Sequence, residues 1–317
     1  MKLRKLLLAG VMTLSCTAAF SQEELLPYGD FEKWITRNIK ESGILGGATK
    51  TLMEVGPTAT MTKNEAYKNR GGSPWATSNV YAKVAGVVKT NSSVYKDSHK
   101  GGSCAKLVTH IETCKAIGII NIRVLAAGSL FTGEMLEPIT GTSNPMSKME
   151  FGIPFTKRPK AIKFDYKVQL TDDANRIRET GFSKVKDIAG KDYPNMVCIL
   201  QKRWEDAKGN IHAQRIGTCI QRFKNTTDWK EGQSFTINYG DISGQSYFKS
   251  WMGLMSGENS YYARNSKGKN VKIIEEGWAD ANTTPTHIVI QFSSSYGGAY
   301  VGSPGTTLWV DNVKLVY

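Results

Sequence analysis

Four histidines, His99, His110, His212 and His287, are the first places to look for acid–base or metal chemistry, and their spacing argues against it. None forms a His-Glu-x-x-His pair, which would set two imidazoles on one helical face around zinc. The cysteines make no Cys-x-x-Cys pair. There is no Gly-x-Ser-x-Gly elbow to lift a serine nucleophile above a sheet, and no glycine loop of the phosphate- or dinucleotide-binding kind. Glycoside hydrolysis asks for two carboxyl groups roughly 5 Å or 6.5–9.5 Å apart across the scissile bond. Glu275 and Glu276 are neighbours whose side chains would leave a strand on opposite sides. Asp172-Asp173 follows a strand and suits a turn. Pairs distant in sequence could still meet, so an enzyme is disfavoured rather than excluded, and no catalytic residue is named.

The aromatic residues offer a different chemistry. The apolar face of a sugar can lie on an exposed ring while nearby polar groups fix its hydroxyls. Trp75, Trp251, Tyr261, Tyr262, Tyr296 and Tyr300 stand in Gly- or Ser-rich, loop-like stretches and are the candidate ligand-binding residues. Each has a bland alternative, because most Trp and Tyr of a β-sandwich fill its core or cap its edge. Trp34 and Trp309 read as core.

The elements that must hold these rings are strands. Ile162, Phe164, Tyr166, Val168 and Leu170 alternate with Lys163, Asp165, Lys167 and Gln169, a period of two that marks a half-buried strand. Phe235/Ile237/Tyr239 and Ile288/Ile290/Phe292 repeat the pattern, and Gly, Asn, Ser and Pro clusters punctuate the chain. Helical periodicity is scarce, with a turn or two expected in 23–38 and 271–282. In the last strand Leu308 and Val310 are apolar on even positions, Val313, Leu315 and Tyr317 on odd ones. The parity change at Asp311-Asn312 predicts a β-bulge. A hairpin of 197–204 and 211–223, with its turn centred between Lys208 and Gly209, sets Cys198 opposite Cys219. The pair is then either a disulfide or two buried thiols packed as small apolar groups. Cys104 and Cys114 could pair instead, across a short connection.

The chain has 317 residues with a formal charge of +13 and 40% hydrophobic residues, enough for a folded core without disulfides or metal. Lys2, Arg4 and Lys5, an apolar run from Leu6 to Ala19, and Ala19-Phe20-Ser21 read as a secretory signal peptide cleaved after Ser21. Lipid anchoring at Cys16 is the lesser alternative, since Thr13 stands where such signals carry Leu. Removal of residues 1–21 takes three positive charges and no negative one, leaving +10. The remaining Lys and Arg are scattered, without the interleaving of a nucleic-acid-binding surface. No later apolar run is long enough to span a bilayer as a helix.

The opening Gly29-Asp-Phe-Glu-Lys-Trp34, the turn His99-Lys-Gly-Gly-Ser-Cys-Ala-Lys-Leu-Val-Thr109 and the closing Trp309-Val-Asp-Asn-Val313 resemble, in this order, carbohydrate-binding modules of the β-jelly-roll type. Leu130-Phe-Thr-Gly133, Phe151-Gly-Ile-Pro-Phe-Thr-Lys-Arg-Pro159, the segment from Asn225 to Trp229 and that from Pro285 to Gly297 are similar to the bacterial putative carbohydrate metabolism domain family of exported proteins. The resemblance implies one all-β, jelly-roll-like sandwich over 22–317, mainly antiparallel with few short helices. It also implies a structural calcium at Glu32 and Asp311, completed by backbone carbonyls near Gly101–Ser103.

The expected role is non-catalytic recognition of a polysaccharide or oligosaccharide in glycan utilisation, in the periplasm or at the outer surface, with outer-membrane uptake proteins as partners. The alternatives are a lyase or glycoside hydrolase acting on an anionic glycan, and an adhesin-like surface protein.

Overall fold

The computed structural model describes residues 22–317 except 117–119 and 182. The signal peptide, its cleavage site and Cys16 therefore lie outside the described residues. The chain is all-β: the helical pieces among the described residues are four 3₁₀ turns, at Gly43–Leu45, Pro145–Lys148, Ser250–Met252 and Gly257–Asn259. The two stretches expected to hold helical turns form strands instead, Glu23–Leu25, Trp34–Lys40 and Asn270–Trp278. Pairing across sheets overrides their weak helical pattern. Among the described residues no helix is long and apolar enough to cross a membrane.

Two large sheets dominate. In the six-stranded one the order is Thr227–Thr236, Ala161–Gln169, Thr307–Val316, Gly102–Val108, Val94–His99, with Glu23–Leu25 also on the Thr307–Val316 strand. The first described strand thus lies against the last, and Phe31 and Val313 share one core. Ile162, Phe164 and Val168 point into that core beside Leu308, Val310, Val313 and Leu315. The second sheet, of ten strands, is centred on His287–Ser293, Asn195–Glu205 and Ile211–Arg222. It presents Met196, Cys198, Leu200, Ile288, Ile290 and Phe292 from the opposite side.

The predicted bulge is present. Lys163 pairs with Lys314 but Asp165 with Asp311, so Phe164 faces two residues, Asn312 and Val313. Asn312 takes the left-handed conformation at φ 55°, which Asn tolerates and β-branched residues do not. The extra residue turns both Val310 and Val313 inward and leaves Asp311 on the outer face.

The long hairpin reaches the expected register by a different route. Its turn, Asp206–Asn210, centres on Lys208, where Asp206 Oδ1 accepts the backbone N–H groups of Lys208 (2.9 Å) and Asn210 (2.8 Å). That alone would oppose Cys198 to Thr218. An extra residue at Ile216 shifts the pairing by one and brings Cys198 opposite Cys219. Both are free, buried thiols, as are Cys104 and the half-buried Cys114. Burial raises the Cys198 thiol pKa and pushes that of Cys219 up to about 12, so both behave as small apolar groups.

The ten-stranded sheet is covered on its other face too. Val197, Ile199, Ile220, Ala213 and Val289 meet Phe131, Phe151 and Tyr261 in a second core. A third centre ties in the small sheet of Trp34–Lys40, Thr49–Val55 and Ala59–Met61. There the buried Arg37 guanidinium bridges Glu54 (2.9 Å) and Glu137 (2.6 Å). Desolvation, against the pull of Arg37, raises the Glu54 carboxyl to about 8.

Replacing Asn312 tests the bulge. Asn312→Val should cost about 1–2 kcal/mol more than Asn312→Gly in urea-unfolding stability, because only the former forces a β-branched residue into the left-handed region.

Candidate functional site

A cleft of about 840 Å³ opens over the outer face of the ten-stranded sheet. Its floor follows from strand register. Asn195, Val197, Ile220, Arg222, Gln291 and Ser293 fall on one face, in two rows across three strands: Ser293–Asn195–Arg222 and Gln291–Val197–Ile220. One row is polar and the other carries the apolar Val197 and Ile220. The walls come from loops: Met146 and Met149, the stretch from Ser250 to Ser256, the hairpin of His110–Ala116 with Ile120–Ala126, and Tyr296–Tyr300.

Four of the six candidate aromatic residues line this cleft, Trp251, Tyr261, Tyr296 and Tyr300. Tyr261 stacks on Phe151 with centroids 4.2 Å apart and donates its hydroxyl to Gln291 Oε1 at 2.7 Å. The Tyr300 hydroxyl donates to the Thr142 carbonyl at 2.5 Å, and burial raises this phenol to about 12. The Tyr296 ring is covered by the Arg222 guanidinium at 3.8 Å and by Arg176 at 4.6 Å, and Arg222 also lies 4.8 Å from the Trp251 ring. Desolvation lowers the Arg222 pKa, with Arg176 adding like-charge repulsion. The acidic lining residues are Glu112, which pairs with Lys89 at 2.8 Å, and the exposed Glu258.

The other two aromatic candidates sit elsewhere. Trp75 is fully buried, packs on Phe31 at 5.5 Å and donates its indole N–H to the Pro27 carbonyl at 2.9 Å, so it presents no face to a ligand. Its Gly-Gly-Ser-Pro context marks a turn before the strand Trp75–Thr77, not an exposed loop. Tyr262 is buried too, with its hydroxyl against Asn144 Nδ2 at 3.0 Å, and does not line the cleft. Sequence reading missed Asn195 and Arg222. Their signal was positional, polar residues at the two open ends of a hairpin whose middle is apolar.

Asp311 belongs to a second polar centre, outside the six-stranded sheet. His99, Asp165 and Asp311 are all buried, and each offers a ligand atom within 4.8 Å of the others. His99 Nδ1 lies 2.7 Å from Asp311 Oδ2, and Trp229 stacks on the imidazole at 3.7 Å. Asp165 accepts from the Gly232 N–H (2.5 Å) and the Asn312 side-chain amide (2.9 Å). His99 Nε2 is buried without a hydrogen-bond partner among the described residues. Burial pushes the Asp311 carboxyl up to about 6, and the Asp165 carboxylate adds to the rise against the opposing His99 bond.

Glu32, the other residue of the expected calcium pair, lies on the Gly102–Ser103 backbone. Its Oε1 accepts the Ser103 N–H at 3.0 Å, and a Cβ on Gly102 would meet that oxygen at 2.1 Å. The donors gathered around Asp311 are one nitrogen and carboxylate oxygens from Asp165 and Asp311. That set matches a borderline cation such as zinc more closely than calcium, which takes six to eight oxygens.

Among known proteins, the family described as putative carbohydrate metabolism domain matches residues 54–316. No curated protein sequence matches. A crystal structure of a putative glycoside hydrolase from Bacteroides thetaiotaomicron is 20% identical, covers 86% of this chain and 76% of its own, and superposes with a TM-score of 0.45.

The raised Asp311 carboxyl has a defined pH signature. Stability from this group is complete below its ordinary value of 3.8 and is lost as pH rises through about 6. Asp311→Asn should remove that loss. The difference in unfolding free energy between wild type and variant should then change by at most about 1.4 kcal/mol per pH unit across this window, and little above it.

Proposed function

Since the chain belongs to the putative carbohydrate metabolism domain family, we propose that it is an exported protein that binds a glycan in the 840 Å³ cleft without cleaving it. The observation that carries this reading is the convergence of the half-buried Trp251, Tyr296 and Tyr300 on one concavity whose floor also offers Asn195 and Gln291, with Tyr261 packed in the core beneath. Aromatic faces desolvate the C–H surface of a sugar, and side-chain amides and hydroxyls take up its polar edge. The cleft has the size of a small-ligand site, about 300–1,000 Å³ in general. It is held by strand register below and packed loops above, so little ordering is needed on binding.

Recognition without hydrolysis fits the charges present. Glu112 is neutralised by Lys89, and Glu258 is an exposed loop residue, so neither has the enclosure that tunes a carboxyl into a general acid. The proposed setting is the periplasm or the outer surface, where long glycans are captured before uptake.

The test is retention on immobilised neutral polysaccharides (xylan, laminarin, dextran) and anionic ones (polygalacturonate, alginate, chondroitin sulfate), with assays for new reducing ends and for unsaturated, ultraviolet-absorbing ends. At least one glycan should be retained with neither product formed. Trp251→Ala should weaken its binding by about 1–2 kcal/mol while leaving the unfolding midpoint within a few degrees. Product release would make the protein an enzyme, and failure to retain any glycan would remove the reading.

A further inference from the structure

The end of the cleft floor where the hairpin opens carries polar groups that the protein leaves unused. Arg222 ends the Ile211–Arg222 strand and stands directly opposite Asn195 in the ladder. Its half-buried guanidinium lies over Tyr296 at 3.8 Å and near Trp251 at 4.8 Å. Among the described residues no hydrogen bond or ion pair engages it. The nearest acidic candidate, Asp192, is already committed to the Tyr193 and Ser303 N–H groups (2.9 and 2.8 Å) and the Ser295 hydroxyl (2.8 Å). Asn195 Oδ1 is buried and likewise unpartnered. A second cation, the ammonium of Lys148, lines the same cleft with no ion pair among the described residues.

An arginine fork held flat by two rings keeps its N–H edge free, and that edge matches the paired oxygens of a planar or tetrahedral anion. A partly desolvated cation and a buried acceptor with no internal partners are costly to the free protein. A ligand that brings an anion and a neighbouring hydroxyl offsets both. We propose that Arg222 and Asn195 form an anion-reading subsite, and that the glycan bound in this cleft carries an acidic group, a uronate carboxylate or a sulfate ester, next to a free hydroxyl. This rests on the cleft being the glycan site and adds the charge class of the ligand.

The polysaccharide panel supplies the experiment. The retained anionic glycan is titrated by calorimetry as it stands and after neutralisation, by reducing its uronate carboxyls or by removing its sulfate esters; the arm that loses affinity identifies the acidic group. The native form should bind at least about tenfold more tightly than the neutralised form, as a charge-assisted pair predicts. Arg222→Met should bring that ratio close to one, whereas Arg222→Lys should keep part of it. Asn195→Ala should weaken both forms by a similar factor. Equal affinity for native and neutralised glycan, or retention of neutral polysaccharides alone, would overturn the subsite and leave glycan binding standing. Retention of nothing would remove both. An unchanged ratio in an Arg222→Met variant with wild-type unfolding behaviour would move the anion site elsewhere.

Discussion

Everything in this fold depends on one strand being gripped from both sides. Thr307–Val316 lies between Ala161–Gln169 and Gly102–Val108 and also takes Glu23–Leu25 along its C-terminal half. Its inward residues, Leu308, Val310, Val313 and Leu315, form a row through the main core, and the bulge at Asn312 lets all four face the same way. The same bulge sets Asp311 beside Asp165 on the outside, where His99 and Trp229 close over them. One irregular residue thus fixes both the packing and the polar centre behind it.

The ten-stranded sheet plays the complementary part. It is buried on both faces, by the six-stranded sheet on one side and by loops with the second core on the other. A sheet so enclosed is a rigid platform, and residues in its rows hold fixed spacings whatever the loops above them do. The cleft inherits that rigidity in its floor and draws variety from its walls. Loops of this kind can change without disturbing the sheet beneath them.

Much of the scaffold was legible in the sequence because alternation is a direct record of one-sided burial. The strand at 161–169 and the parity change at Asp311-Asn312 come from local pattern; the opposition of Cys198 to Cys219 depends on the extra residue at Ile216, which that pattern does not show. The second core was less legible. Met196-Val-Cys-Ile-Leu200 and Ile288-Val-Ile290 are continuous apolar runs, the mark of strands covered on both faces, but reading only every second residue hides it. Of the six ring candidates Trp251, Tyr296 and Tyr300 line the cleft half-exposed, Tyr261 lies buried beneath it, and Trp75 and Tyr262 are buried elsewhere, since exposure depends on which loops fold over which strands. Arg222 and Asn195 carried only a positional signal, at the open end of a hairpin, whereas the partnership of His99 with Asp165 and Asp311 comes from contact between segments far apart in the chain, which nothing in local composition announces.

The grip on the final strand also sets a timetable. A ribosome that has delivered every residue through Pro304 has not yet supplied the piece that joins Ala161–Gln169 to Gly102–Val108. Until then two long edges stand open, each able to pair with a strand from another molecule. Completion of the six-stranded sheet therefore waits on Thr307–Val316, a late closure between segments far apart in the chain.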